Sequence, residues 1–183
     1  MKGVESVKAV AIGIFIFSAL LILLYLLRKS NNIINMRNIF RAHFSLISKD
    51  FFTFVIFFFL PIAMGCACGF IQSVTKDIID VVNIILPIYI GLQFSAAGIL
   101  CGIERKNEQY EKIRENTFNE IMFQCILSVL ALTLSVIITF VGIASMLDVI
   151  LNGLSIVLYI LIITIILNTF IVIKQIQFLF DER

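Results

Sequence analysis

The sequence predicts an all-α integral membrane protein of five transmembrane helices plus one cytoplasmic interfacial helix, with the N-terminus outside and the C-terminus inside. Three observations carry that prediction. The 183-residue chain is 61% hydrophobic, with a mean hydropathy of +1.08, against roughly 45–50% apolar content in soluble domains. It holds five uncharged apolar runs, at 10–27, 51–71, 81–103, 121–144 and 149–173. About 20 such residues, rising about 1.5 Å each, cross a hydrocarbon core of about 30 Å. The 14 Lys and Arg and 12 Asp and Glu all fall outside those runs, as expected when a charge at mid-membrane costs at least about 2.5–3.5 kcal/mol. The runs do not alternate apolar and polar residues, which excludes barrel strands. The whole chain, 1–183, reads as a single membrane domain.

Span one, 10–27, is longer than the apolar core of a signal peptide, and no A-x-A-like site follows it before Arg28, so it reads as a retained anchor. The segment 31–49, "NNIINMRNIFRAHFSLISK", then places Ile33, Met36, Phe40, Phe44 and Ile47 three or four residues apart. That spacing stacks them on one helical face, with Arg37, Arg41, Ser45 and Ser48 beside it. The pattern is that of a helix lying at the inner membrane surface, with Arg37, Phe40, Arg41 and Phe44 as membrane-interface residues and the arginines near anionic headgroups. His43, the only histidine, has no His or Cys at ligand spacing and reads as an interfacial polar residue.

Span two, 51–71, contains Pro61 and ends in "GCACGFI". Cys66 and Cys68 are two residues apart, which on a helix turns them about 200° from one another. They cannot hold one ion or form an easy local disulfide, so the stretch is read as small-residue packing through Gly65 and Gly69. Span three, 81–103, carries Pro87 and a second small-residue series, Gly91, Ser95, Gly98 and Gly102. In lipid, helices associate by close packing and interhelical hydrogen bonds, which small residues permit. Span four, 121–144, adds Ser128, Ala131, Ser135 and Gly142, whereas spans one and five are bulkier. Spans two, three and four are therefore expected to form the tight centre. For the uncharged polar residues Gln93, Thr164 and Asn168, interhelical hydrogen bonding and pore lining both stay open.

Between spans three and four lies "ERKNEQYEKIRENTFNE", 104–120, dense in both charges. Glu108 and Lys112 stand in the favourable i to i+4 order, so the segment is expected to extend the flanking spans as helices. It is the longest charged surface available to a partner, with Arg105, Lys106, Tyr110, Lys112 and Arg114 as candidate partner-binding residues. The tail after Lys174 is either a final turn of span five or a short hook.

Positive residues set orientation. Most fall in 28–50, in 104–120 and in the tail, while Lys2, Lys8 and Lys76 stand on the other side. This puts both long loops in the cytoplasm. No P-loop, H-E-x-x-H or catalytic constellation is present, so no enzymatic activity, metal or cofactor is expected. Nor does any aqueous domain offer direct nucleic acid binding.

The charged loop leading through "ENTFNEIMFQCILSVL", 115–130, into an apolar span resembles the small polytopic membrane subunits of bacterial anti-phage systems, such as the Kiwa membrane subunit. The resemblance implies a homo-oligomer in the bacterial inner membrane that acts as a sensor or anchor controlling a separate cytoplasmic effector. Two other classes stand beside it: a homo-oligomeric channel or membrane-permeabilising effector, and a permease subunit.

Overall fold

The computed structural model describes Gly13, Phe17 and residues 36–102, 108–143 and 148–181. Apart from Gly13 and Phe17, span one lies outside the described residues. These are helical almost throughout, with no strand among them. We label the helices α1 (Met36–Ile47), α2 (Phe51–Ile71), α3 (Lys76–Cys101), α4 (Glu108–Ile143) and α5 (Asp148–Asp181). The last four are long and apolar enough to cross a membrane, which makes the chain a multi-pass membrane protein.

Asp50 starts α2. Its carboxylate accepts hydrogen bonds from the Thr53 amide and hydroxyl, both at 3.1 Å, satisfying a donor that the first turn of a helix leaves free. A π-helical segment, Val55–Phe59, follows, and the amide of Leu60 bonds the carbonyl of Val55. Pro61 lies just beyond it. A proline has no N–H to give and its ring crowds the carbonyl four residues back, so widening the preceding turn accommodates it. In α3, Thr75 caps the start, accepting from the Ile78 amide at 3.4 Å, and Pro87 sits inside the helix. The short turn between α2 and α3 is tied to α5, where the Ser155 hydroxyl accepts from the Val74 amide at 3.1 Å and Ser73 bonds Asn152.

The spanning helices form a row, α2–α5–α4–α3, with α1 laid against α4. Half of the most apolar stretch of α4 is buried, more than twice the share in any other spanning helix. The centre therefore differs from the expected one: α4 and α5 occupy it, and α2 and α3 stand at the two edges. Bulk did not keep span five outside, because the small residues that it needs are supplied by α2. A Cβ added at Gly65 would stand 2.8 Å from the Ile160 amide nitrogen, and one at Gly69 would stand 3.2 Å from the Ile156 Cα. The two glycines let the α2 backbone lie directly on α5. Gly91 and Gly98 have nothing within 4 Å of an added Cβ, so they make no helix packing among the described residues. The Ser95 hydroxyl bonds back to the Gly91 carbonyl, and Gly102 ends α3.

The two longest helices also answer two expectations. α4 begins at Glu108, so 108–120 continue span four as a helix, whereas α3 ends at Cys101 with Gly102 as its cap and is not extended. α5 runs to Asp181, which makes the tail a continuation of span five.

Candidate functional site

One face of α4 is polar where a lipid-embedded helix is ordinarily apolar. Thr117, Glu120, Gln124, Ser128 and Ser135 follow one another at helical spacing, with Ala131 between the last two, and each is at most 1% exposed. On an α-helix these intervals superpose the side chains in one stripe. Side chains from α1 and α3 meet that stripe.

At the end nearest α1, His43 Nδ1 lies 2.8 Å from Glu120 Oε2, and both side chains are almost wholly buried. The imidazole stacks on Phe123, with ring centroids 3.8 Å apart and planes 16° from parallel, while Phe40 meets Phe123 edge-on at 5.3 Å. Ile39, His43 and Ile47 form the buried face of α1. Arg37, Arg41 and Phe44 are exposed, and Phe40 is half-buried. The docked face of α1 is thus rotated from the apolar face read in the sequence, and it carries the histidine inward. A burial of this kind is tolerated because removing a charge from water is costly unless a partner and further contacts compensate.

One turn further into the bundle, Gln124 accepts from Gln93 Nε2 at 2.7 Å and bonds the Tyr89 hydroxyl. Tyr89 also lies 2.8 Å from Thr169 Oγ1. The Thr169 hydroxyl donates to the Ile165 carbonyl of its own helix at 2.8 Å and Tyr89 donates to Gln124, so the Tyr89 hydroxyl is the point where α3, α4 and α5 meet. The Tyr89–Thr169 bond bridges an apolar groove of about 560 Å³ between α3 and α5. Near the far end of the stripe, Ser135 bonds Asn83 Oδ1 at 2.5 Å.

The residues predicted from sequence are distributed over this frame. Gln93 and Asn168 are buried in it, while the Thr164 hydroxyl turns back to the Ile160 carbonyl of its own helix at 2.7 Å. Tyr110 is 2% exposed and donates to the Leu179 carbonyl at 3.2 Å. Its role is therefore to fasten the start of α4 to the end of α5, and its side chain offers little surface to a partner. Lys112 is exposed, and Arg114 is half-buried, 3.8 Å from Glu111. Arg105 and Lys106 lie outside the described residues.

Sequence reasoning missed His43 and Glu120. The signal available for Glu120 was the 117, 120, 124, 128 spacing of polar residues inside the stretch quoted for its resemblance, which places the carboxylate on an inward face. Nothing in the local sequence marked His43, whose partner stands 77 residues away. Comparison of the chain with protein-family models, with curated proteins and with solved structures gives no match.

Proposed function

We propose that this protein is a non-enzymatic membrane sensor or anchor that recruits or regulates a cytoplasmic effector. The observation that supports it most is the buried His43–Glu120 pair. It couples α1, whose arginines are exposed and suited to anionic headgroups, to α4, whose first turns carry the charged surface. The Tyr110–Leu179 bond couples those same turns to α5. A change at the membrane surface that moves α1 therefore acts on Glu120 and, through a rigid helix, on the Lys112 and Arg114 region. In this reading the chain has five spans, its N-terminus is outside, and α1 and both charged segments face the cytoplasm of a bacterial cell, with homo-oligomers in the inner membrane. The anti-phage setting follows from the resemblance of 115–130 to the membrane subunits of such systems.

The layer of Ala131, Ile138, Leu158 and Ile165, all buried, supports this reading over a channel through the single bundle, because it interrupts the polar stripe with apolar side chains. The test is purification from cells in mild detergent with mass spectrometry of what accompanies the protein. Reversing the charges of Arg105, Lys106, Lys112 and Arg114 together is expected to release a specific companion while the protein stays folded in the membrane. Unchanged co-purification of every companion after that reversal overturns the proposal.

A further inference from the structure

Asn168 is fully buried, and neither its amide nitrogen nor its amide oxygen has a hydrogen-bond partner among the described residues. Inverting the amide changes nothing, since both atoms lack partners. Gln124 Nε2 and Ser128 Oγ, on fully buried residues, are also unpartnered, as is Gln175 Oε1. Among the described residues, these are all the buried side-chain nitrogen and oxygen atoms without a partner. All of them belong to α4 and α5, the central pair of helices.

They also stand at neighbouring depths. Tyr89 reaches both Gln124 and Thr169, which puts those two residues level across the antiparallel helices. Asn168 precedes Thr169, and Ser128 is one turn beyond Gln124, so the three unpartnered, fully buried side chains share one depth to within a turn. Gln175 lies two turns of α5, about 10 Å, nearer the α1 end, and the buried apolar side chains of Ile121 and Val172 stand at the level between it and Asn168. Beyond Ser128, Ala131, Ile138 and Leu158, all buried, form an apolar layer.

We propose that the α4–α5 interface at the level of Asn168, Gln124 and Ser128 is a binding site for a small cluster of water molecules. This site is independent of the sensor reading. The mixture of free atoms selects the ligand. The amide NH₂ groups of Gln124 and Asn168 can donate, the Asn168 oxygen can accept, and the Ser128 hydroxyl can do either. A cation satisfies the oxygens alone and is repelled by the amide hydrogens. An apolar chain satisfies none of them. Water donates and accepts in equal measure, and buried water ordinarily makes about three hydrogen bonds to groups otherwise unsatisfied. Inside a membrane no bulk solvent is at hand to serve these groups, so the cluster completes the hydrogen bonding of the bundle.

Water-edited solid-state NMR on protein labelled with ¹⁵N in asparagine, glutamine, alanine and leucine, in bilayers of deuterated lipid, tests this directly on the wild-type chain. The Asn168→Ser variant, which keeps a polar group in place, serves to assign the amide signal. Magnetisation from water is expected to reach the Asn168 and Gln124 side-chain amides about as fast as it reaches the exposed Asn38 amide. Transfer to the Ala131 and Leu158 backbone amides is expected to be several-fold slower. Transfer to the Asn168 amide that is as slow as transfer to Ala131 overturns the proposal, and so does fast transfer to Ala131 and Leu158, which means that water passes the apolar layer.

Discussion

His43 and Glu120 meet at 2.8 Å across the α1–α4 contact, 77 residues apart in the chain and nearly inaccessible to solvent. The pair joins α1 to α4, the most buried of the described spanning helices. The following predictions start from that contact and move outward.

Removing one member of a buried pair leaves the other uncompensated, at a cost of about 3–5 kcal/mol. His43→Ala and Glu120→Ala are each expected to lower the thermal unfolding midpoint in detergent strongly. The double variant should be hardly worse than either single change. Additive losses in that cycle mean that the two side chains do not stabilise one another.

Gln124 gathers two donors, Gln93 and Tyr89. Gln124→Leu leaves both without their acceptor and is expected to cost about 1–3 kcal/mol. Tyr89→Phe removes the bonds to Gln124 and Thr169 but strands no donor of Gln124, and should cost about 0.6–1.7 kcal/mol, the range found for interhelical hydrogen bonds in lipid. Unfolding in mixed micelles at increasing denaturing detergent gives the order, and Tyr89→Phe exceeding Gln124→Leu contradicts this account.

The glycines divide into two classes. Gly65→Leu and Gly69→Leu drive a side chain into α5, where overpacking ordinarily costs about 1–3 kcal/mol and here meets backbone. Gly91→Ala has open space around it and removes a flexible residue from a helix interior, so it should stabilise the fold by about 0.5–1 kcal/mol. Cys66→Ser, between the two close glycines, is expected to be mild. Thermal unfolding of the four variants side by side checks the ranking. Cross-linking of Gly91→Leu asks separately whether the free α3 face joins copies of the chain.

Asp50 gives a pH prediction. Bonds from the Thr53 amide, and then from the Thr53 hydroxyl, hold its carboxyl below the ordinary carboxylate range. The unfolded chain therefore binds this proton more readily than the folded one. The stabilisation is complete above the ordinary value of about 3.9 and is lost as pH falls through the lower folded value. The difference in unfolding midpoint between wild type and Asp50→Ala should be constant from neutral pH to mildly acidic pH and shrink below that. A difference that grows on acidification reverses the sign and refutes the assignment.

Much of the fold was legible because transmembrane helices obey one dominant rule: the backbone must satisfy itself, and apolar length marks where it does so. The span read at 51–71 coincides with α2, and the spans read at 81–103, 121–144 and 149–173 overlap α3, α4 and α5, each of which runs past a read boundary into charged residues. The order of packing was not legible. Small residues mark where a helix can be approached, but they do not name the neighbour: Gly65 and Gly69 receive α5, whereas Gly91 and Gly98 receive nothing among the described residues. The candidate site was half legible. Gln93 and Asn168 stood out as polar residues in apolar runs. Glu120 did not, because it sits at the edge of a run, where a carboxylate is ordinarily solvated. Its burial comes from α1 folding over it, a tertiary event that a hydropathy profile does not contain. The same event misdirected the reading of α1, since a histidine opposite a carboxylate can be buried as readily as an isoleucine.

The π-helical segment Val55–Phe59 bears on how this chain tolerates change in length. One residue advances an α-helix by about 100°, so the wide turn sets the angular phase between Asp50, where α2 begins, and the glycine face that meets α5. Deleting a single phenylalanine from 57–59 shortens the span by little more than an ångström, a mismatch that a bilayer accommodates easily. The same deletion removes the residue that the wide turn holds in excess, so the segment closes to an α-helical turn and Gly65 and Gly69 keep facing Ile160 and Ile156, while the room before Pro61 is lost. In this helix the wide turn lets the number of residues before the glycines change by one without turning them from α5.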